Sequence, residues 1–165
     1  EYFDYGASPD YWLIEVSGIP FGLMGEMLQD GGNPYRGMVY GMTARLPWAG
    51  DPRAIWQIWD AFGIDKAEMY GYWSPNCPVR TNEPDILTTV YLKPGEALVA
   101  LASWAEETKQ VKLNVDWEKL GLSPEQAVIE APAVADFQPA AQFKPTERIP
   151  VEPAKGWLLI IKARR

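Results

Sequence analysis

The sequence predicts an α/β segment followed by an antiparallel β-sandwich, and three observations carry that expectation. Up to about residue 75, apolar runs alternate with proline-capped helix starts, the pattern of strands crossing to helices. After Trp73-Ser74-Pro75-Asn76-Cys77-Pro78 the texture changes to short β-rich runs separated by turn residues. No internal repeat runs across the change. The expected boundary falls near residue 76, dividing residues 1–76 from residues 77–165.

The first strand is Tyr2 to Tyr5, an apolar segment closed by Asp4 and followed by Gly6. Three helix starts share one device, a capping residue before a proline whose missing N–H costs nothing at the first helical position: Ser8-Pro9, Asn33-Pro34 and Asp51-Pro52. The first helix should run from Pro9 to Ser17. The second should carry Tyr35, Met38, Val39, Met42 and Leu46 on one face and stop before Pro47. The third sets Ile55, Ile58, Trp59 and Phe62 at i, i+3, i+4 and i+7 and ends at Gly63. Between the first two helices, Ile19 to Leu28 contains Pro20 and several glycines, which oppose a helix, and it alternates as a strand does. Strand, helix, strand, helix implies parallel strands with the acids Asp4 and Glu26 at their carboxyl ends, the face where such folds build their sites.

In the second part, Ile86 to Leu92 and Ala97 to Trp104 flank Lys93-Pro94-Gly95-Glu96, a hairpin connection. Ala97 to Ala102 is apolar throughout, as a central strand covered on both sides must be. Val111, Leu113 and Val115 alternate with Lys112 and Asn114, giving one wet face. Asp116 to Leu120 should make one helical turn before Gly121, and Trp157 to Ile161 a closing strand. The Pro-rich segment from Ala131 to Pro145 reads as an ordered loop across the sandwich.

Composition removes several functions. The chain of 165 residues is 47% hydrophobic and 22% charged, the balance of a globular protein, and no apolar run reaches the length a bilayer needs. Its formal charge of -7 opposes nucleic-acid binding, which requires a basic stripe. With no histidine, the chain alone cannot build Ser-His or Cys-His nucleophiles or His-based metal sites. Cys77 has no second cysteine to pair with and reads as a structural thiol. No metal and no cofactor are expected. The chain begins Glu-Tyr-Phe-Asp, without an initiator Met or a leader, and so reads as a mature product or an excised piece.

Glu26 is the most informative residue. It interrupts the apolar run Gly22-Leu23-Met24-Gly25-Glu26-Met27, where its charge must reach water or a polar pocket. With Asp4 it forms the candidate catalytic pair. The alternative is structural, Asp4 capping a loop and Glu26 pairing with Arg36 or Arg45. Aromatic faces stack on ring faces of a ligand and polar side chains bond its hydroxyls, so Tyr5, Arg45, Trp48 and Trp73 are the candidate substrate contacts. Tyr70, Tyr72 and Trp73, standing just before the boundary, are also placed to pack between the two parts. Trp56, Trp59, Trp104 and Trp157 are expected in the core.

The runs Ser17 to Leu28, Asn33 to Arg45, and Gly71-Tyr72-Trp73 with Pro75-Asn76-Cys77-Pro78 resemble bacterial glycoside-hydrolase-like proteins related to glycoside hydrolase family 123. The resemblance covers nearly the whole chain. It implies the last βα units of a (β/α)8 barrel followed by a C-terminal β-sandwich; a whole barrel takes roughly 250 residues, so the N-terminal part of the parent would be missing. On that fold Asp4 and Glu26 would end neighbouring strands, about 4.8 Å apart at the barrel rim, against the roughly 5 to 9.5 Å separation of glycosidase carboxylates. The resemblance further implies a carbohydrate partner, hydrolysis of glycosidic bonds in the parent, N-acetylhexosaminides among the substrates, and a secreted or periplasmic location. The family is associated with substrate-assisted cleavage by an adjacent Asp-Glu pair. No Asp-Glu dipeptide occurs in this sequence, so that pair would lie upstream of Glu1 and the isolated chain would be inactive. The competing expectation is a non-catalytic carbohydrate-binding or scaffolding sandwich.

Overall fold

The computed structural model describes residues 33–41 and 51–164. The predicted strands Tyr2 to Tyr5 and Ile19 to Leu28 and the first helix lie outside the described residues. Two helices come first, α1 (Pro34–Val39) and α2 (Arg53–Phe62), then a 3-10 turn at Ile64–Lys66. Ten strands follow, β1 (Glu68–Tyr70), β2 (Val79–Thr81), β3 (Ile86–Lys93), β4 (Glu96–Ser103), β5 (Lys109–Val111), β6 (Leu113–Val115), β7 (Ala127–Ala131), β8 (Ala141–Phe143), β9 (Ile149–Val151) and β10 (Gly156–Ala163). The one-turn helix α3 (Trp117–Leu120) sits between β6 and β7.

A six-stranded antiparallel sheet in the order β1-β3-β4-β10-β7-β8 forms the middle of the molecule. Two ribbons, β2–β6 and β5–β9, make a second layer. Strand alternation assigns each face its core. Ala97, Val99 and Leu101 of β4, with Leu159 and Ile161 of β10, meet Val79, Val111, Leu113, Ile149 and Val151 of the ribbons. Leu98, Ala100 and Leu158 point the other way, onto Met38 of α1 and Ile55 and Phe62 of α2. The predicted central strand is therefore covered on both sides, by ribbons and by helices, and its apolar residues have no wet face to alternate with. No closed barrel is present among the described residues.

The hairpin at Lys93-Pro94-Gly95-Glu96 forms as predicted, with Lys93 paired to Glu96 across the turn. The expected third strand is divided at Lys112: β5 pairs with β9 and β6 with β2. Its alternation survives the break, since Val111 and Leu113 are buried while Lys112 and Asn114 are exposed. The turn at Asp116 to Leu120 is α3, capped by the Asp116 side chain on the Lys119 N–H and ended by Gly121. At Gly156 the sheet tolerates no side chain, because a Cβ there would lie 1.8 Å from the Leu101 carbonyl oxygen.

Helix α1 is shorter than its sequence pattern. Asn33 caps it and Pro34 opens it as expected, but it ends at Val39 rather than continuing to Leu46. Gly41 takes φ +81, a left-handed backbone that stops the helix, and Tyr91 Oη lies 3.1 Å from where a Cβ would be. Helix α2 follows its stripe and ends at Gly63. It starts one residue later than expected: Pro52 stands at the cap position, while Asp51 Oδ1 accepts from the Arg53 N–H at 2.9 Å. Trp56 corrects the core expectation. It lies next to Ile55 and so about 100° around the helix from the buried stripe, and it is 46% exposed.

Candidate functional site

Of the residues singled out in the sequence, Asp4, Tyr5, Glu26, Arg45 and Trp48 lie outside the described residues. Trp73 is described. It is 44% exposed, and its ring folds back over Gly71 so closely that a Cβ on that glycine would lie 2.3 Å from the indole. Gly71 thus lets the tryptophan lie flat against its own backbone with the outer face open.

Trp73 begins a continuous aromatic strip. Its ring meets Tyr72 edge-on at 5.1 Å, Tyr72 meets Tyr40 at 6.1 Å, and Tyr40 meets Trp104 at 6.5 Å. Arg36 lies over the Trp104 ring at 5.0 Å and donates from Nε to the Ser103 carbonyl at 2.9 Å. The edge-to-face geometry suits the ring quadrupoles, and Arg36 adds a cation over a π face. The strip joins two separate stretches of chain, since Arg36 and Tyr40 belong to α1 and its cap while the other rings belong to the sheet side. Tyr72 thus packs across to α1, a contact within residues 1–76. Tyr70 reaches across the expected boundary at residue 76: Lys119 Nζ lies 3.9 Å from its ring centroid, and it packs on the sandwich core.

Trp104 was expected in the core. It instead follows β4, half-buried, with its backbone N–H donating to the Asp85 carbonyl at 2.8 Å. Beside it opens a cleft of about 600 Å³ lined also by Asp85, Glu106, Glu107 and Lys109. The predicted strand Ala97 to Trp104 has this tryptophan as its last residue, whereas the strand ends at Ser103; the charged Glu106 and Glu107 just beyond are the signal that it sits at a strand end. Trp157 does pack against the sandwich core, donating Nε1 to the Pro150 carbonyl at 2.8 Å. Trp59 is half-buried on the helix-side core, 6.3 Å from Tyr91, with its Nε1 buried and without a hydrogen-bond partner.

Two carboxylates, one in this cleft and one before α2, are shifted away from the range of a general acid. Lys109, through its hydrogen bond and its charge, holds the Glu107 carboxyl below the usual carboxylate range, and Arg53 does the same to Asp51. A general acid needs the opposite shift, so that it still carries its proton near neutrality. Cys77 is buried, its Sγ donating to the Val79 carbonyl at 3.3 Å, and burial pushes its thiol up, which leaves it inert as a nucleophile. Among the described residues no three His, Cys, Asp or Glu side chains gather to hold a metal, and no described helix is long and apolar enough to cross a membrane.

Within the strip only Trp73 presents an exposed aromatic face, since Tyr40 is buried and Tyr72 and Trp104 are half-buried. The chain belongs to glycoside hydrolase family 123. Residues 51–162 match the model of the glycoside hydrolase 123 C-terminal domain, and residues 1–47 match that of the glycoside hydrolase 123 TIM-barrel domain. No curated protein and no solved structure matches the chain. The C-terminal match takes in α2, β1 and the whole sheet, and α1 belongs to the barrel match. The contacts of α1 with β4 and β10 are therefore contacts between barrel segment and C-terminal domain.

Proposed function

We propose that this chain is the C-terminal part of a glycoside hydrolase that cleaves N-acetylhexosaminides, supplying part of the barrel rim and an accessory sandwich that holds it. The observation that carries the reading is the order of the two matches, barrel segment first and C-terminal domain second, in a chain whose sheet packs directly on the barrel-matched α1. Residues 1–47 would contribute the barrel side and the C-terminal domain, from residue 51 on, the sandwich, with Glu26 and Asp4 on the rim. The principal acid and its partner would lie upstream of Glu1, and the parent would act in a secreted or periplasmic setting.

In this reading Glu26 shapes or orients the sugar, while Tyr5, Arg45, Trp48 and Trp73 make its contacts. The exposed indole of Trp73 supports the last assignment, because an aromatic face open to solvent at the end of a packed strip is available for stacking. The test is release of nitrophenol from nitrophenyl N-acetyl-galactosaminide and N-acetyl-glucosaminide by the full parent and by this chain alone. The reading expects turnover by the parent and none by the chain. Absence of turnover by the parent on both substrates would sink it.

A further inference from the structure

The outer face of the β2–β6 ribbon carries a groove that the aromatic strip does not include. It has a volume of about 650 Å³, the scale of a small-ligand site, and it is lined by Arg80, Lys112, Asn114, Asp116, Trp117 and Thr146 among others. The ribbon register explains why polar groups collect there. Arg80 is paired across to Asn114, and Lys112 lies two residues before Asn114, so all three leave the face opposite to buried Val79 and Leu113. Trp117, at the start of α3, is half-buried against the sandwich core and forms one wall.

The charges in this groove run against those of the molecule. The chain carries a net charge of -7, and the lysines Lys93, Lys109, Lys144, Lys155 and Lys162 and also Arg53 each have a carboxylate partner. Among the described residues Arg80 and Lys112 have none; nor do Lys66, Lys119, Arg148 and Arg164, but only Arg80 and Lys112 line this groove. Arg80 is nevertheless fixed, donating from Nη1 to the Tyr72 carbonyl at 3.2 Å and from Nη2 to the Ser74 carbonyl, which leaves further N–H groups unspent. Lys119, just beyond the groove, donates to the Asn76 carbonyl at 2.7 Å. Asp116 is the one carboxylate of the lining, and its Oδ1 already accepts the Lys119 backbone N–H. The positive field is felt locally, since both Arg80 and Lys119 act to lower the Cys77 thiol against the effect of burial.

We propose that the groove over the β2–β6 ribbon is a non-catalytic binding site for an acidic saccharide. Arg80 and Lys112 receive its carboxylate or sulfate, Asn114 bonds its hydroxyls, and the Trp117 indole supports a ring face. A pre-fixed guanidinium without a counter-charge suits a planar or tetrahedral anion, and the amide and indole add what a simple anion would not use. That the ligand is a sugar rests on the glycoside-hydrolase reading; that it is anionic rests on the groove alone.

The test is calorimetric titration of the full 165-residue chain with tetragalacturonate, neutral chitotetraose and citrate, in 50 and in 300 mM salt. The expected result is binding of tetragalacturonate in preference to the other two, weakened by salt. Exposed Lys112 and Asn114 can be changed without disturbing the core, and Lys112→Ala should raise the dissociation constant at least about tenfold. Trp117→Phe keeps a ring in the core and should weaken the sugar but not citrate. Absence of tetragalacturonate binding, equal binding of citrate, or an unaltered constant in Lys112→Ala would overturn the proposal. None of these results depends on turnover of hexosaminides, so this claim and the catalytic one fail separately.

Discussion

Asn33 reaches Ala154 across 121 positions of sequence, donating from Nδ2 to the Ala154 carbonyl while its Oδ1 accepts the Arg36 N–H at 3.1 Å. One buried amide therefore caps α1 and ties it to the turn before β10. Next to it Tyr35 stacks on Phe137 at 4.2 Å and donates its hydroxyl to the Phe137 carbonyl. The barrel-matched helix is held to the C-terminal domain by specific hydrogen bonds as well as by the apolar contact of Met38.

Removing the Asn33 side chain should cost both functions. Asn33→Ala is expected to lose about 2 kcal/mol, roughly one for the cap and one for the bond to Ala154. Asn33→Asp keeps the cap acceptor but sets a carboxylate against a carbonyl, and should lose at least about 1 kcal/mol. Urea unfolding at neutral pH measures both. Full stability of Asn33→Asp would show that the contact with Ala154 contributes nothing.

Two non-glycine residues near this junction adopt left-handed backbone, Ala154 at φ 56 and Asp136 at φ 59. Alanine has no side-chain polar group to offset that conformation, whereas aspartate tolerates it. Ala154→Gly should therefore stabilise the protein by about 1 kcal/mol, and Asp136→Gly by clearly less. A shift of the unfolding midpoint that is equal for the two, or reversed, would contradict this account of the turn.

Gly156 should tolerate no substitution. A methyl group there meets the Leu101 carbonyl and the Ala102 backbone in the middle of the β4–β10 pairing, where neither strand can retreat without breaking its ladder. Gly156→Ala is expected to cost at least about 2 kcal/mol, read from the denaturant midpoint. A loss within a few tenths of a kcal/mol, the usual range for an exposed strand position, would mean that the strands have more play than the packing indicates.

Tyr91 supplies a pH dependence. Burial between the sheet and the helices pushes its hydroxyl up to about 12, from an ordinary 10.0. Between those values the folded chain keeps the proton and the unfolded chain releases it, so the unfolded state binds fewer protons and stability falls as pH rises. The stabilisation is complete below pH 10 and lost toward pH 12, at up to about 1.4 kcal/mol per pH unit. Tyr91→Phe should flatten that part of the stability profile between pH 9.5 and 11.5. An unchanged slope in the variant would place the alkaline sensitivity elsewhere.

Much of the fold was legible because its signals are local. Asn33-Pro34, Asp51-Pro52 and the Ile55 to Phe62 stripe each encode a helix, and Lys93-Pro94-Gly95-Glu96 encodes its hairpin. The misreadings came where tertiary context decides. The apolar face from Tyr35 to Leu46 carries a helical period, but Gly41 takes φ +81 against Tyr91 and ends the helix at Val39. Lys112 separates β5 from β6 because their partners, β9 and β2, belong to different ribbons, and no period reveals which strands will pair. Trp104 shows the same limit for the site. Its place in the predicted strand Ala97 to Trp104 suggested burial, whereas the strand ends at Ser103 and its surroundings come from Arg36 and Tyr40, more than sixty positions away.

Family membership, the sheet and its clamp on α1 lead to one central claim, that the barrel rim held by this domain belongs to a working glycosidase. The most direct measurement is kcat/KM for a nitrophenyl N-acetylhexosaminide in the full parent, with Glu26→Gln and Asp4→Asn beside the unaltered protein and thermal unfolding recorded for each. The account predicts at least about a tenfold loss in Glu26→Gln, equivalent to about 1.4 kcal/mol of transition-state stabilisation, at an unchanged unfolding temperature. Unaltered turnover in both variants would contradict it.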